Sequence, residues 1–390
     1  LYARHFFARY ARRGTGIFSY PLSLFPLHLH IVLESYKING GIMKKRILAL
    51  LCSAVLFLPA LSGCAQTETA DTKAPEETTA KQSDKPELTH VTLNEVAHSI
   101  FYAPMYVAIE ENYFEEEGID LELVCGFGAD KTMTAVISGE ADIGFMGSEA
   151  SIYTYAEGAT DYVVNFAQLT QRAGNFLVAR EKMPDFTWDD LKGHLVLGGR
   201  KGGMPEMVFE YILKENGIDP ETDLEINQNI DFGSTAAAFA EGQGDFTVEF
   251  EPGATTLESE GKGYVVASLG QDSGYVPYTA FSAKKSYIDE NPDIIQGFTN
   301  ALQKGMDYVQ EHTPDEISAI IEPQFPETDL ETITTIVTRY YDQDTWKSNL
   351  IFEQSSFELL QDILESAGEL EERVPYDDLV TTQFAAIAAQ

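Results

Sequence analysis

The chain has 390 residues, of which 62 are acidic and 26 are basic, so its formal net charge at pH 7 is −36. This excess of negative charge argues against nucleic acid and anionic membrane surfaces as partners. The length allows two lobes, each with a sizeable core.

Residues 43–63 have the organisation of a secretion signal, with a basic start at 44–46 and an apolar run at 47–58. The run is too short to span a bilayer comfortably. It ends in Leu61-Ser62-Gly63-Cys64, which resembles the lipobox of bacterial lipoproteins. The resemblance implies cleavage before Cys64 and lipidation of its sulfur. The alternative is an ordinary signal beside a chance cysteine.

Residues 1–42 are expected to be untranslated upstream sequence. They begin with Leu1 and precede a signal that normally opens a chain, and Gly40-Gly41 can be encoded by a ribosome-binding site just before Met43. Removing residues 1–63 takes away eight basic residues and one acidic residue. The mature protein, 64–390, then has 18 basic and 61 acidic residues and a net charge near −43.

Residues 64–88 are rich in Thr, Glu, Lys, Asp and Pro and nearly free of large apolar residues. Such a segment cannot bury enough surface to become ordered, so it is predicted to be a flexible tether. After Cys64 only Cys125 remains, which excludes an intrachain disulfide and a cysteine metal site in the mature chain.

From His90 onward, strand patterns alternate with helix patterns, which predicts α/β layering with parallel pairing. Pro104 suits the first turn of a helix that Gly118 closes. The predicted strands are 91–96, 119–124, 141–146, 162–169 and 176–180, and the first predicted helices are 104–118 and 130–138. After Tyr278 the sequence becomes helical, with segments opening at 291 and 313 that are expected to cover the first lobe.

One pattern occurs twice along the chain. A Phe-Gly turn at 127–128 leads through an Ala-containing helix to Gly139-x-x-Asp142 and a strand, and a Phe-Gly turn at 232–233 leads in the same way to Gly242-x-x-Asp245. This echo suggests two lobes built on similar units. The alternative is chance similarity between two common βαβ segments.

Five stretches together resemble the nitrate, sulfonate, taurine and thiamine-precursor family of ABC solute-binding proteins. They are FYAPMYVA (101–108), YFEEEGI (113–119), SGEADIG (138–144), WDDLKG (188–193) and PDII (292–295). The resemblance covers nearly all of 90–390. It implies an α/β protein with the type II periplasmic-binding-protein fold, two lobes joined by two crossover strands.

The resemblance also implies a division of the chain and a set of partners. We place the crossings near 178–181 and 269–275, so that lobe 1 is 89–180 plus 271–390 and lobe 2 is 181–270. The implied partners are a small-molecule ligand and an ABC permease with its ATPase. Lipid on Cys64 would anchor the protein at the outer face of the cell membrane.

Ligands of open parallel sheets lie beyond the carboxyl ends of the strands, so the strand-to-helix turns supply the candidate binding residues. These are His98, Phe101, Tyr102, Gly128, Ala129, Asp130, Ser148, Glu149, Gln171, Arg172, Arg200, Gly202, Gly203, Met204, Glu249, Glu251 and Tyr278.

The candidates fall into chemical groups. Aromatic rings can stack on a flat ligand, backbone N–H groups at helix starts attract anions or carbonyl oxygens, carboxylates accept hydrogen bonds from ligand amino groups, and the arginines, with Lys201, can hold an acidic group. The alternatives are packing under a helix for the rings, rim charges for the carboxylates, and salt bridges between lobes for the arginines. His98 is favoured as polar support.

The expected function is solute capture by lobe closure and delivery to a permease, with no metal or cofactor. The sequence contains no Gly-x-Ser-x-Gly, His-Glu-x-x-His, Walker A or complete Gly-x-Gly-x-x-Gly motif. The alternatives are a lipid-anchored sensor and a pyrimidine-synthesis enzyme. Carboxylates beside aromatic rings favour a flat, amino-bearing heterocycle such as a thiamine-pyrimidine precursor over a sulfonate, nitrate or taurine.

Overall fold

A computed structural model describes residues 88–230 and 232–390, apart from the side chain of Phe232. The predicted signal, the lipidation site Cys64 and the tether up to residue 87 lie outside the described residues and stay predictions. Among the described residues, no helix is long and apolar enough to cross a membrane.

In the part of the chain that the structure describes, ten strands form two sheets. They are β1 (Thr89–Glu95), β2 (Ile119–Cys125), β3 (Ile143–Gly147), β4 (Val163–Thr170), β5 (Phe176–Ala179), β6 (Leu195–Leu197), β7 (Glu225–Asn227), β8 (Phe246–Glu249), β9 (Tyr264–Ser268) and β10 (Thr279–Lys284).

The helices lie between and after these strands. They are α1 (Ala103–Glu110), α2 (Tyr113–Glu116), α3 (Ala129–Ser138), α4 (Glu149–Ala156), α5 (Met204–Glu215), α6 (Phe232–Ala240), α7 (Gly253–Ser259), α8 (Leu269–Asp272), α9 (Lys285–Glu290), α10 (Pro292–Glu311), α11 (Pro314–Ile321), α12 (Leu330–Asp342), α13 (Gln354–Ser366), α14 (Tyr376–Leu379) and α15 (Gln383–Ala388). Single 3₁₀ turns cover Ile100–Tyr102, Trp188–Leu191 and Glu322–Gln324.

The two sheets have the same strand plan. The first has the order β2-β1-β3-β10-β4 and the second the order β7-β6-β8-β5-β9. In each sheet the fourth strand runs antiparallel to both neighbours, while the pairs among the first three strands are parallel. The prediction of parallel pairing is therefore correct for these pairs and wrong for β5. The residues directly after Tyr278 were predicted to be helical, but Thr279–Lys284 form the antiparallel strand β10, and the helices begin after it. We call the first sheet with its helices the first lobe and the second sheet with α5–α7 the second lobe.

The chain crosses to the second lobe earlier than the predicted boundary at 180. Phe176 pairs with Glu249 of β8 and with Ser268 of β9, so β5 is a strand of the second sheet. The first crossing lies between Thr170 and Phe176 instead of at 178–181. An apolar run such as 176–179 fits a buried strand of either sheet, so its pattern could not assign the lobe. The return lies between β9 and β10 and includes the predicted 269–275.

The sequence echo coincides with the shared plan of the sheets. The unit β2–α3–β3 ends in the third strand of the first sheet, and the unit β7–α6–β8 ends in the third strand of the second. Residues that follow β3 and β8 therefore occupy equivalent positions in the two lobes.

The predicted helix 104–118 is two helices. Asn112 has φ 61°, in the left-handed region, and separates α1 from α2. Asparagine tolerates this conformation because its short amide can bond locally, and here the amide donates to the Glu110 carbonyl at 3.3 Å. The predicted helix rested on the residues at its two ends, Pro104 and Gly118, which give no sign of this break.

The C-terminal helices pack on the first lobe, as expected, and also reach the second. Gly305 of α10 lies so close to α1 that a Cβ there would be 2.2 Å from the Pro104 carbonyl oxygen. Thr313 and Glu316 form a capping box at the start of α11. At the end of α13, the Ser366 carbonyl accepts from Lys214 of α5 at 2.6 Å, so this helix contacts the second lobe.

Candidate functional site

Aromatic rings from both lobes meet between the two sheets. The Phe101 ring is fully buried, with ring centroids 5.1 Å from Tyr340, 5.2 Å from Tyr102, 5.7 Å from Tyr278 and 6.2 Å from Phe250. Phe250 follows β8 of the second lobe, whereas Phe101 and Tyr102 precede α1 of the first. We call these five residues the aromatic cluster. Its rings pack on one another, so a flat ligand could stack on them only after the lobes separate.

Glu149 places a buried carboxyl group beside this cluster. It opens α4 with 4% of its surface exposed, and burial raises its pKa to about 7. The pKa of this carboxyl group is lowered by hydrogen bonds from its own N–H and the N–H of Met204, and by the charge of Arg200. Met204 and Arg200 belong to the second lobe, so the carboxyl group lies at the interface between the lobes. Its Oε2 has no hydrogen-bond partner among the described residues.

Two tyrosine hydroxyls complete the buried polar set. Desolvation raises the pKa of Tyr102 and of Tyr278 above the usual range, and the nearby Glu149 carboxyl group contributes to both increases. The Tyr278 hydroxyl donates to Oδ1 of Asn175, in the first crossing, at 2.6 Å. Acid, phenol and amide groups therefore lie together next to the aromatic rings.

Gln171 and Arg172, both predicted to hold ligand, lie in the first crossing and bind protein groups. The Gln171 amide donates to the carbonyls of Asp344 and Trp346 at 3.2 and 3.3 Å. Arg172 Nη1 donates to the Gly270 carbonyl at 3.0 Å, and its guanidinium lies 4.2 Å from the centre of the Tyr275 ring. These side chains tie the two crossing segments to each other and to the first lobe.

The two carboxylates after β8 also have partners in the protein. Glu249 accepts from Thr235 at 3.0 Å and from Thr247 at 2.5 Å, and burial raises its pKa to about 7. Glu251 accepts from Arg339 of α12 at 2.6 Å and from the N–H of Thr255 at 2.8 Å. Arg339, from a distant helix, thus forms an ion pair with Glu251 between the lobes. The ligand contact expected of Glu251 stays a prediction.

A second set of contacts joins the lobes at the start of α5. Arg200 lies 3.3 Å from Asp130 of α3, which is the interlobe salt bridge considered as the alternative for this arginine. The Gly202 carbonyl accepts from Tyr153 at 3.1 Å, and the Gly202 N–H donates to Glu206. Burial and the neighbouring Glu210 raise the pKa of Glu206 to about 8.

The remaining predicted residues lie at turns and helix starts around the cleft. Gly128 precedes α3 and Ala129 begins it, Gly203 precedes α5, Ser148 donates to the Pro277 carbonyl at 3.0 Å, and Lys201 is exposed.

His98 lies outside the aromatic cluster. Its Nδ1 is 2.7 Å from Glu95 and its Nε2 is 2.8 Å from the Gln324 carbonyl, while its ring packs on Phe325. The hydrogen bond to Glu95 raises its pKa. The ring therefore links β1 to a turn of the C-terminal helices, which is the supporting position favoured from the sequence.

Sequence reasoning missed Asn175, Phe250, Tyr153 and Tyr340. Asn175 is a polar residue directly before a buried apolar strand, and this position only weakly indicates a binding residue. Phe250 stands between two candidate glutamates, and Tyr340 lies 62 residues beyond Tyr278. Neither position has a spacing that reveals the cluster. Their proximity arises only when the lobes meet.

The chain matches the family described as NMT1/THI5 like over residues 100–317. YtlA of Bacillus subtilis strain 168, a candidate binding protein by name, is 45% identical over 335 residues, which are 86% of this chain and 95% of that protein. The riboflavin-binding protein RibY of Chloroflexus aurantiacus is 26% identical over 271 residues, which are 68% of this chain and 74% of that protein.

A solved structure gives the same architecture. The alkanesulfonate-binding protein SsuA of Xanthomonas axonopodis pv. citri, bound to MOPS, aligns with a TM-score of 0.62 at 17% identity over 76% of this chain and 99% of that one. The expected type II periplasmic-binding-protein fold is confirmed, and the chain belongs to the NMT1/THI5-like family.

Proposed function

We propose that this protein captures a small organic solute outside the cytoplasm by closing its two lobes on it, and delivers the solute to the permease of an ABC importer. The family and the fold support a binding role. The observation that carries the proposal is the Glu149 carboxyl group, which is buried between the lobes with one oxygen unpaired within the described part of the chain. A buried polar atom of this kind is costly unless a ligand satisfies it.

Closure follows from where the contacts lie. Arg339 to Glu251, Arg200 to Asp130 and Tyr153 to Gly202 each join one lobe to the other. A solute can enter the aromatic cluster only when these contacts separate. Its binding energy then favours the closed form, because only that form buries it on both sides.

The ligand we favour is a flat, amino-bearing heterocycle, such as a thiamine-pyrimidine precursor. Phe101, Tyr102 and Phe250 offer ring faces, and Glu149 offers an acceptor. Riboflavin, in the name of RibY, is also a flat heterocycle.

A sulfonate, nitrate or taurine-type anion is the second candidate, in keeping with the alkanesulfonate named for SsuA. It is disfavoured because Arg200 and Arg339 already bind protein carboxylates. Nε of Arg172 has no partner among the described residues and is the donor that such an anion would use. A buried anion beside the Glu149 carboxyl group would also raise the cost of ionising that group.

We propose a binding protein rather than an enzyme of pyrimidine synthesis. Cys125 is the free cysteine of the described residues, and burial raises its pKa. A nucleophilic thiol needs the opposite shift.

A lipid-anchored sensor would use the same closure, with a membrane receptor in place of the permease. Neighbouring permease and ATPase genes would favour transport.

The anchor on Cys64, at the outer face of the membrane, is part of the proposal. Fatty-acid labelling of the wild-type protein in cells, lost in a Cys64→Ser variant, is the expected result. Equal labelling of both proteins would contradict it.

Mass spectrometry of solute released from the purified protein tests the function. We expect an amino-bearing heterocycle to be released from the wild type and to be reduced at least tenfold in Glu149→Gln, since a charge-assisted hydrogen bond is lost. Glu140→Gln, at an exposed position after α3, is the matched control and should retain the solute. Release of a sulfonate would contradict the ligand class.

A further inference from the structure

Two buried side-chain atoms of opposite character lie unpaired between the lobes. Asn175 is fully buried and Glu149 is 4% exposed. Neither Nδ2 of Asn175 nor Oε2 of Glu149 has a hydrogen-bond partner within residues 88–230 and 232–390. The first atom is a donor, and the second is an acceptor when the carboxyl group is ionised.

The orientation of the Asn175 amide follows from its contact with Tyr278. The Tyr278 hydroxyl oxygen lies 2.6 Å from the nearest amide atom of Asn175. This separation is typical of O–H···O bonds and short for N–H···O bonds. The amide oxygen therefore faces the tyrosine, and both amide N–H groups remain for another acceptor. The Asn175 carbonyl accepts from the N–H of Leu269 at 3.0 Å and fixes the backbone of this residue between the two crossings.

Asn175 and Glu149 border the same aromatic rings. Tyr278 bonds to Asn175, and the charge of Glu149 acts on the Tyr278 hydroxyl. The Phe101 ring packs on Gly174, where an added Cβ would lie 2.7 Å from a ring carbon, and meets Tyr278 edge to face. A planar group lying against these rings would have the amide and the carboxyl group at its edges.

We propose that Asn175 is a ligand-binding residue that donates to the solute while Glu149 accepts from it, so that the solute carries a hydrogen-bond acceptor and a donor on one flat edge. This inference rests on the proposed solute-binding function and narrows it. A solute with acceptors alone would satisfy Asn175 and leave the Glu149 oxygen buried without a donor. A solute with donors alone would leave the Asn175 amide buried without an acceptor.

Calorimetric titration with three small probes tests the pairing. 4-Aminopyrimidine has a ring-nitrogen acceptor next to an amino donor, aniline lacks the acceptor, and 4-(dimethylamino)pyrimidine lacks the donor. We expect the wild-type protein to bind 4-aminopyrimidine about tenfold or more tightly than either analogue, because each analogue leaves one buried protein group unpaired.

The variant Asn175→Leu keeps about the size of the side chain and removes the donor, whereas a buried aspartic acid would be protonated and could still donate. Its preference for 4-aminopyrimidine over aniline should fall to about one, whereas its preference over the dimethylated analogue should remain. The control Asn165→Leu changes another buried asparagine, whose amide donates to Ser151 and to the Leu379 carbonyl. It should keep both preferences, even if its stability falls.

An unchanged preference over aniline in Asn175→Leu would overturn the inference. So would a wild-type protein that binds none of the probes but releases another solute in the mass-spectrometric experiment, and this result would leave the solute-binding function standing. A wild-type protein that neither releases a solute nor binds a probe would contradict the proposed function itself.

Discussion

Single buried carboxyl groups set the chemistry of the cleft. Burial raises the pKa of Glu149 to about 7, of Glu249 to about 7 and, together with Glu210, of Glu206 to about 8. Glu249 and Glu206 accept hydrogen bonds within the second lobe. Glu149 spans the interface and keeps one oxygen unpaired among the described residues, so its ionisation responds most directly to closure and to ligand.

The empty closed protein should therefore lose stability as Glu149 ionises. Its pKa is higher in the folded protein, about 7, than the ordinary value of 4.5. The folded state then binds more protons than the unfolded state between these values, and stability falls as the pH rises from about 4.5 to about 7. In Glu149→Gln, the fall in the free energy of unfolding over this pH range should be smaller by about 3 kcal/mol.

Urea unfolding at pH 5 and pH 8 measures the effect. The comparison between wild type and Glu149→Gln isolates this residue from Glu206 and Glu249, which titrate in both proteins. Glu140→Gln, at an exposed site, should behave as the wild type does. An identical pH dependence in Glu149→Gln and wild type would show that the carboxyl group is not desolvated in the folded protein.

At the scale of elements, α12 is the part of the first lobe that holds the second. Its Arg339 contacts Glu251 at 2.6 Å and also pairs with Glu258 of α7, while Glu251 is buried. The same helix supplies Tyr340 to the aromatic cluster. One turn of α12 thus provides both a ring and an ion pair at the interface.

Arg339→Met should destabilise the closed form by about 3–5 kcal/mol, because it leaves the buried Glu251 without its cation. Opening of the lobes would relieve this cost by hydrating Glu251. The expected result is a larger radius of gyration in X-ray scattering of the solute-free variant. Arg373→Met is the control, since Arg373 also pairs with two carboxylates, Asp362 and Glu365, but on the surface. A control as expanded as Arg339→Met would refute the role of the interlobe pair.

Local signals in the sequence predicted individual elements well. Pro104 at the start of α1 and the Thr313-Glu316 capping box are residues whose effect acts within one turn of helix. The division at Asn112 and the membership of β5 in the second sheet were not predictable in this way. The left-handed conformation is one of several that asparagine can adopt, so the residue type alone does not predict a helix break. The apolar sequence of a buried strand does not indicate to which sheet the strand belongs.

For the whole molecule, the sequence echo predicted two similar units but not the contacts between them. Glu149 was identified because it follows a strand end, and the structure places it in the cleft. Glu251 was identified by the same reasoning, yet Arg339, 88 residues further along the chain, pairs with it. Contacts made only on lobe closure depend on how the two sheets are oriented, which strand and helix periodicity does not encode.

Solute-driven closure of the lobes around Glu149 can be measured by X-ray scattering of solute-stripped protein at pH 8. Ionised Glu149 disfavours empty closure at this pH, so adding back the released solute should lower the radius of gyration of the wild type. The same addition should leave Glu149→Gln unchanged at concentrations that close the wild type. A wild-type radius that does not respond to its own solute would contradict solute-driven closure.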